Sequence, residues 1–496
     1  MSLSIRIAPL SALVLGCALL VGACNETSGT STAPDASAPD AAVDVTPDAA
    51  VDVAPDAAPS LPSLVGPPDF EDHNPDPHVV EVDLVASSGA AELVAGRMTD
   101  SKLYNGRTPG PTLHARVGDR VVVHFRNDLD EPTTIHWHGL RIPSAMDGNP
   151  MVQPPVMPGE TFDYDFVVPD AGTFWYHPHI NTIEQLDRGL YGAIVVHEAE
   201  APRFTAERVF VLDDVRLDAQ GQISPFATAG HDTVHGRAGN VLLLNGASAR
   251  VTASAPRNSV ERWRLLNAAG SRVMSVAVEG ASWRVVGTDG GLVPQPFNAT
   301  RLSIAPGQRY DLEVTLDGEM GPAQLVTYVL AQTDAGVQTV PRTIAELRYE
   351  GEVAAASPVY PRVELPALAA SPMEQTIRLG ATTTGALRFT IDGHSHEEGD
   401  EPMLTFAQRA PVRFTIVNEI APEHPFHLHG QFFQILSRNG RDAREPGLKD
   451  TVQLGAMERV VIETHFENPG RWMYHCHIPE HAENGMMAEL MVTPAP

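Results

Sequence analysis

The chain has 496 residues, and 34 lysines and arginines stand against 62 aspartates and glutamates, for a formal net charge of −28. This length predicts about two to four domains, and the charge argues against a nucleic-acid surface, which needs clustered cations. With 40 glycines, 42 prolines and only three cysteines, the composition favours short strands joined by turns and excludes a disulfide-stapled scaffold.

Residues 1–24 are predicted to be an export signal rather than part of the fold. Arg6 precedes an apolar run over 7–21 that is too short for a membrane span. Small residues then lead to Cys24, and this ending resembles a bacterial lipoprotein signal, in which the cysteine is acylated after cleavage. An ordinary secretory signal cut near Ala23 is the alternative. We therefore expect an exported protein, periplasmic or at the cell surface, with a lipid anchor on Cys24.

Residues 25–62 have the composition of a disordered linker. The triplet Pro-Asp-Ala occurs four times, and the segment contains no lysine or arginine and few large apolar residues. Such a segment cannot bury enough apolar surface to offset the entropy of ordering. The sequence predicts an extended tether between the signal and the folded body.

The body of the chain contains an internal repeat of strands. Alternating apolar segments end at Asn127, Asn267 and Asn418, which are separated by about the length of one small domain. No amphipathic helix of convincing length interrupts them. The sequence predicts an all-β protein of three Greek-key β-sandwich domains, with boundaries at 63–200, 201–355 and 356–496.

Ten of the chain's 20 histidines fall into four short clusters. The clusters contain His136 and His138, His177 and His179, His424, His427 and His429, and His475, His477 and His481. In an extended segment, residues i and i+2 point to the same face, so each His-x-His presents two imidazoles side by side. Four such pairs predict a metal cluster. The aromatic residues that flank them could exclude water from it, or could simply be sandwich core.

Cys476 lies between His475 and His477 and is the only cysteine outside the signal region. A single thiol between two histidines in an exported protein is not placed for a disulfide. Two histidines, a thiolate and a weak axial thioether make a blue-copper site, whereas zinc usually binds without a thioether. The residues that can supply this set are His424, Cys476, His481 and Met486.

These four motifs resemble those of the multicopper oxidases, and the similarity covers all of 63–496. The resemblance implies three cupredoxin-like domains and four copper ions. It implies that type 1 copper is held by His424, Cys476 and His481, with Met486 axial. It implies that type 2 copper is held by His136 and His427. The type 3 pair would be held by His138, His177, His179, His429, His475 and His477.

The resemblance also implies a mechanism. A reductant gives electrons singly to type 1 copper, and Cys476, through its bonded neighbours His475 and His477, carries them to the cluster that reduces dioxygen to water. Asp147 matches an acidic position near type 2 copper, which suggests a proton donor; otherwise it is a turn residue. Some relatives have a glutamate directly after the last type 1 histidine, where this chain has Ala482, so the role of the nearby Glu480 and Glu483 stays open.

The methionine content of the third repeat bears on the substrate. The third repeat has no methionine-rich insert of the kind that bacterial cuprous oxidases carry, so a laccase-like oxidase of phenols or aromatic amines is the first hypothesis. A metallo-oxidase of cuprous, ferrous or manganous ions is the alternative, because an acidic surface gathers cations. A copper nitrite reductase and a non-enzymatic copper-binding relative are the remaining hypotheses.

Four further histidines are interpreted as loop residues without a metal. His394 and His396 lie among glycines and acids, and His231 and His235 lie in a polar stretch of the second repeat.

Overall fold

The structure is a computed structural model that describes residues 64–226, 230–248, 250–333, 336–382, 386–397 and 399–495. The predicted signal and linker, 1–24 and 25–62, lie outside these ranges. Strands dominate the described residues, and their helices are short. None of the helices found there is long and apolar enough to cross a membrane.

The first segment forms two four-stranded sheets. One has the strand order β3-β2-β5-β7 and the other β4-β9-β8-β6. The elements are β1 (Leu64–Val65), β2 (Val79–Val94), β3 (Arg97–Tyr104), β4 (Leu113–Arg116), β5 (Arg120–Asp128), β6 (His136–His138), a 3-10 turn (Ser144–Met146), β7 (Thr161–Val167), β8 (Gly172–His177), α1 (Thr182–Asp187) and β9 (Gly192–His197).

The second segment forms a seven-stranded and a five-stranded sheet, ordered β1-β10-β13-β18-β15-β16, with β11 beside β10, and β12-β20-β19-β14-β17. Its elements are β10 (Ala206–Val215), α2 (His231–His235), β11 (Val241–Leu244), β12 (Val251–Arg257), β13 (Ser259–Asn267), β14 (Met274–Glu279), β15 (Ser282–Thr288), β16 (Gly291–Phe297), β17 (Leu302–Ile304), β18 (Arg309–Leu316), β19 (Ala323–Thr333) and β20 (Gly336–Glu352). His231 and His235 were expected in a loop, and they form helix α2 instead.

The third segment forms a six-stranded and a five-stranded sheet, ordered β22-β21-β24-β29-β26-β27 and β23-β31-β30-β25-β28. Its elements are β21 (Met373–Thr382), β22 (Arg388–Ile391), β23 (Leu404–Ala407), β24 (Pro411–Asn418), β25 (His424–Leu428), β26 (Phe433–Arg438), β27 (Arg441–Asp442), β28 (Thr451–Leu454), β29 (Arg459–His465), β30 (Gly470–Cys476), α3 (Pro479–Ala482) and β31 (Met487–Thr493).

The repeated asparagines have the same structural role in each segment. Asn127, Asn267 and Asn418 each end a strand, and each side chain is buried. In all three cases the amide nitrogen donates to two backbone carbonyls at 2.8–2.9 Å, and the amide oxygen accepts from the N–H two residues later at 3.0–3.1 Å. Because these buried backbone groups need partners, the asparagine fixes the turn that follows each strand.

Each segment has its own apolar core between its two sheets. Sheet strands such as β5 alternate buried and exposed residues, which gives each sheet one face toward that core. One strand does not belong to the sheets of its own segment. Leu64 and Val65 form β1, which comes before the first segment's sheets in the chain but pairs with β10 of the second segment. The all-β prediction is confirmed. The exact domain boundaries stay a prediction.

Candidate metal centre

Strand pairing brings the histidine motifs of the first segment together. In the register of β6 with β8, His136 lies opposite His177 and His138 lies opposite Trp175. His179 lies two residues beyond the end of β8. The same face of this short sheet therefore collects four imidazoles, as the i, i+2 spacing predicts.

The third segment repeats this arrangement. In the register of β25 with β30, His427 lies opposite His475 and Phe426 opposite Cys476. His429 lies one residue beyond the end of β25, and His477 lies one residue beyond the end of β30. Cys476 points to the opposite face from the two histidines beside it, because successive residues of a strand alternate in direction.

The two histidine faces converge on one buried pocket. Every imidazole in it is at most 8% exposed. Candidate ligand atoms lie within 4.8 Å of one another in three sets, which are His136, His138 and His427; His138, His177 and His477; and His179, His429 and His475. All eight histidines predicted for the buried cluster are thus brought together.

The free nitrogens of these rings test whether a metal fits. Nδ1 of His136, His177, His427 and His475 contacts the backbone carbonyls of Asp147, Pro178, Asp450 and Cys476 at 2.8–3.0 Å. A ring that donates from Nδ1 carries its free lone pair on Nε2. Among the described residues, the ring nitrogens of this pocket that lack a hydrogen-bond partner are Nε2 of His136, His177, His179 and His427, Nδ1 of His138, and both nitrogens of His477. Buried polar atoms are rarely left without partners, so this pocket fits cations that accept several imidazole ligands.

Electrostatics favour neutral rings in the pocket. Burial lowers the pKa of His138, His177, His179, His427, His429 and His477 well below its ordinary value, and neighbouring imidazoles lower it further. Burial also lowers the pKa of His475, to about 4. Neutral imidazole is the form that binds metal ions.

Two buried carboxylates orient rings of the cluster. Asp147 Oδ2 lies 2.8 Å from His429 Nδ1, and its backbone carbonyl accepts from His136. Asp450 Oδ1 lies 3.1 Å from His138 Nε2, and its backbone carbonyl accepts from His427. Asp147 was a predicted site residue, whereas Asp450 was missed, because its sequence neighbourhood gives no sign of a contact with a histidine more than 300 residues away.

A second, smaller site surrounds Cys476. His424 Nδ1 and His481 Nδ1 lie 3.0 Å apart, and the Cys476 Sγ lies 3.5 Å and 3.6 Å from them. These three residues are fully buried. Burial raises the pKa of the Cys476 thiol, so a bound cation is what would favour the thiolate here. A trigonal set of two imidazoles and one sulfur is the donor set of blue copper.

Two backbone features complete this smaller site. The Val234 carbonyl lies 3.1 Å from His481 Nε2, which leaves the lone pair of His481 on the nitrogen that faces the sulfur. Met486 is buried beside the cysteine, and its carbonyl accepts from the Cys476 N–H at 3.0 Å. The axial role of the Met486 thioether stays a prediction.

Cys476 joins the two sites covalently. His475 belongs to the set with His179 and His429, and His477 belongs to the set with His138 and His177. Cys476, which supplies sulfur to the smaller site, is thus joined by peptide bonds to one histidine from each of two ligand sets in the histidine pocket. This arrangement can pass electrons between the sites over a short bonded path.

The remaining candidates lie outside these sets. His394 Nε2 contacts Asp400 at 2.7 Å in a surface loop, and neither His394 nor His396 joins any of the ligand groups found among the described residues. Glu480 is buried in α3, and burial raises its pKa to about 7. Glu483 accepts from the Ile183 N–H at 2.9 Å and borders a cavity of about 60 Å³ beside His177 and His475.

Comparison with known proteins agrees with this geometry. Sequence models of the multicopper oxidase family match residues 87–201, 215–352 and 369–496. A multicopper oxidase structure from Pseudomonas thermotolerans is 33% identical, with a TM-score of 0.74, over 84% of this chain and 99% of that one. The Campylobacter jejuni multicopper oxidase, a metallo-oxidase, is 25% identical, with a TM-score of 0.75, over 88% of this chain and 96% of that one.

A third similar structure is a laccase-like multicopper oxidase of Ochrobactrum sp. with oxidase activity towards lignin model compounds. It is 26% identical, with a TM-score of 0.73, over 87% of this chain and 99% of that one. These neighbours confirm the predicted cupredoxin-like fold class, and the family uses type 1, type 2 and type 3 coppers. The chain therefore belongs to the multicopper oxidase family and is a copper-dependent oxidoreductase that uses dioxygen as electron acceptor.

Proposed function

We propose that this chain oxidises phenols or aromatic amines one electron at a time and reduces dioxygen to water. The observation that carries the proposal is the position of Cys476, a ligand candidate of one site that is bonded to ligand candidates of the other. The laccase-like activity of the Ochrobactrum relative supports the substrate class. The alternative substrate is a cuprous, ferrous or manganous ion, which the metallo-oxidase of Campylobacter jejuni and the net charge of −28 support.

We assign the copper ligands as the resemblance implied. His424, Cys476 and His481, with Met486, would hold type 1 copper, and His136 and His427 would hold type 2 copper. The type 3 pair would be held by His138, His177, His179, His429, His475 and His477. When bound, copper supplies one-electron redox chemistry and, with four ions, a store for the four electrons that dioxygen takes up.

The protein's own residues orient the ligands and keep the cluster dry. Backbone carbonyls hold the imidazole tautomers, and Trp175 packs at ring-centroid distances of 4.3 Å from His177 and 5.4 Å from His477. Exclusion of water limits the release of partly reduced oxygen and strengthens the local electrostatics. Cys476, His475 and His477 provide the bonded electron path.

Asp147 is proposed to deliver protons to the cluster. It is fully buried, and its carboxylate contacts His429 at 2.8 Å. Its Oδ1 lies 3.4 Å from His136 Nδ1 and makes no hydrogen bond with the described residues. A carboxylate with one free oxygen beside the reacting centre can hold and release a proton there.

Asp147→Asn is expected to slow oxygen reduction by on the order of 10²-fold, because it removes a proton donor but keeps the shape of the side chain. The blue absorption of the type 1 site should be unchanged. Stopped-flow reoxidation of the fully reduced enzyme measures the effect, with anaerobic reduction of the blue centre as the internal control. Reoxidation at the wild-type rate would remove Asp147 from proton delivery.

The decisive experiment for the function is oxygen consumption with a panel of phenols, aromatic amines and reduced metal ions. The oxidase proposal predicts about one dioxygen consumed per four electrons donated, with no hydrogen peroxide. Copper content separates the other hypotheses, because the oxidase needs about four ions per chain, a nitrite reductase two, and a structural relative none. Nitrite-dependent turnover without oxygen uptake would contradict the oxidase.

The membrane anchor is proposed on the sequence alone, since Cys24 lies outside the described residues. Cys24→Ala is expected to move the protein from the membrane fraction to the soluble exported fraction, because it removes the acylation site. Immunoblots of fractionated cells measure the change, and Cys17→Ala is the matched control that should stay in the membrane fraction. A Cys24→Ala protein that remains in the membrane fraction would contradict the anchor.

A further inference from the structure

Helix α2 of the second segment covers the edge of the site around Cys476. The helix lies in the connection between β10 and β11, and the carbonyl of Val234 accepts a hydrogen bond from His481 Nε2 at 3.1 Å. His481 itself is fully buried. The contact between His481 and Val234 therefore offers one path by which an electron can enter this site from the surface of α2.

The outer face of α2 carries two histidines one helical turn apart. His231 and His235 are both exposed, and their ring centroids lie 4.7 Å apart. Residues i and i+4 of a helix share a face, so the two imidazoles can bind one ion together. Val234, the residue that contacts His481, is the neighbour of His235 in the chain.

The charges around the pair favour a cation. His235 borders a cavity of about 210 Å³ together with Glu423, the residue that precedes the type 1 ligand candidate His424. Asp232 lies 3.7 Å from His231, but its ion pair with Arg216 at 2.6 Å offsets its charge, so Glu423 is the acidic group that favours a cation here. The chain as a whole carries a formal charge of −28, which raises the local concentration of cations.

We propose that His231 and His235 bind a reduced first-row metal ion of the class that prefers imidazole, ferrous or cuprous, as a substrate. Imidazole ligands suit iron and copper, whereas manganous ion prefers oxygen ligands. The bound ion gives up one electron, which passes through the Val234–His481 hydrogen bond. Four ferrous ions become four ferric ions as one dioxygen and four protons become two waters. The inference rests on the metallo-oxidase alternative of the proposed function and names the docking residues for it.

Binding is tested on the copper-loaded enzyme with Zn²⁺, which binds imidazole and has no redox chemistry. Titration calorimetry should find about one exposed Zn²⁺ site per chain. The loss of a residue that only orients a metal ligand weakens metal binding by about 10–100-fold. The double variant His231→Asn/His235→Asn removes both ligands themselves, so it should weaken Zn²⁺ binding by at least about 100-fold. The matched control is His73→Asn/His78→Asn, a pair of exposed histidines on the first segment that should leave Zn²⁺ binding unchanged. Equal binding in the wild type and the α2 double variant would overturn the site.

Kinetics separate this inference from the proposed function. Zn²⁺ should raise the KM for ferrous or cuprous ion in the wild type, with kcat unchanged, and should have no such effect in the α2 double variant. Separate assays with the two ions show which is the substrate. Oxygen uptake with phenols and no saturable uptake with either ion would refute the docking site and leave the oxidase intact. No oxygen uptake with any reductant, with Zn²⁺ still bound at α2, would refute the oxidase instead.

Discussion

Cys476→Ser is expected to abolish the blue absorption and the oxidase activity together. The Sγ lies 3.5 Å from His424 Nδ1 and 3.6 Å from His481 Nδ1, in a pocket that is closed to water. The intense colour of a type 1 centre comes from its thiolate ligand, and a serine hydroxyl is a hard, neutral donor that does not replace it. Turnover should fall to the background rate, because the electron path to His475 and His477 begins at this sulfur.

The folded state of the variant must be checked separately from its chemistry. The eight histidines assigned to type 2 and type 3 copper are not replaced by this substitution, so we expect the histidine cluster to keep its copper. Metal analysis should give about three copper ions per chain in place of four, and the type 2 signal in electron paramagnetic resonance should persist. A Cys476→Ser protein that still oxidised phenols at the wild-type rate would contradict the whole assignment.

Tyr474→Phe is the matched control for this experiment. Tyr474 lies two residues before the cysteine on β30, is fully buried, and its hydroxyl has no hydrogen-bond partner among the described residues. Removing an unpartnered buried hydroxyl costs the fold nothing in hydrogen bonds. We therefore expect this variant to stay blue and active, which separates the loss of the sulfur from a general disturbance of the strand.

The ligand candidates were predictable because their signal is local. Each His-x-His on a strand places two rings on one face whatever the rest of the chain does, and the opposition of His136 to His177 follows from ordinary antiparallel pairing. The repeat of Asn127, Asn267 and Asn418 was equally readable, since one hydrogen-bond pattern recurs in three strand ends. These features fix the fold class and the set of metal ligand candidates.

The parts that escaped prediction depend on contacts between distant segments. Asp450 meets His138 across 312 residues, and Val234 meets His481 across 247. In the sequence, Asp450 and Arg309 look like ordinary strand or turn residues, and α2 looks like a polar loop. Their roles depend on how the three segments pack against one another. The spacing of apolar residues within one segment does not predict that packing.

Arg309→Met is expected to lower the free energy of unfolding by about 3–5 kcal/mol, because it leaves a buried carboxylate without its partner. The guanidinium is fully buried and uses all its donors. It contacts Asp450 at 2.8 Å and 2.6 Å, and the carbonyls of Thr173, Gly307 and Asp289 at 2.9 Å. Thr173 lies on β8 of the first segment and Asp450 in the third, so a single side chain of the second segment joins all three.

Denaturation of the copper-free protein measures this effect without the contribution of bound metal. Arg120→Met is the matched control, since Arg120 makes a similar two-pronged contact with Asp165 but both side chains are about half exposed. An exposed pair contributes at most about 1 kcal/mol. Arg309→Lys should lower the free energy of unfolding by less than Arg309→Met and by more than Arg120→Met, because lysine restores the charge but cannot make the paired contact.

The Arg309 variants also test whether this residue positions the cluster. Asp450 Oδ1 lies 3.1 Å from His138 Nε2, and the Asp450 carbonyl accepts from His427, so movement of Asp450 disturbs two ligand candidates from different segments. We therefore expect Arg309→Met to lose type 2 copper before type 1. His427, which Asp450 orients, is assigned to type 2 copper, whereas no hydrogen bond or ion pair joins Asp450 to His424, Cys476 or His481 among the described residues. Loss of both copper types in parallel with unfolding would mean that Arg309 holds the segments together and does not position the ligands.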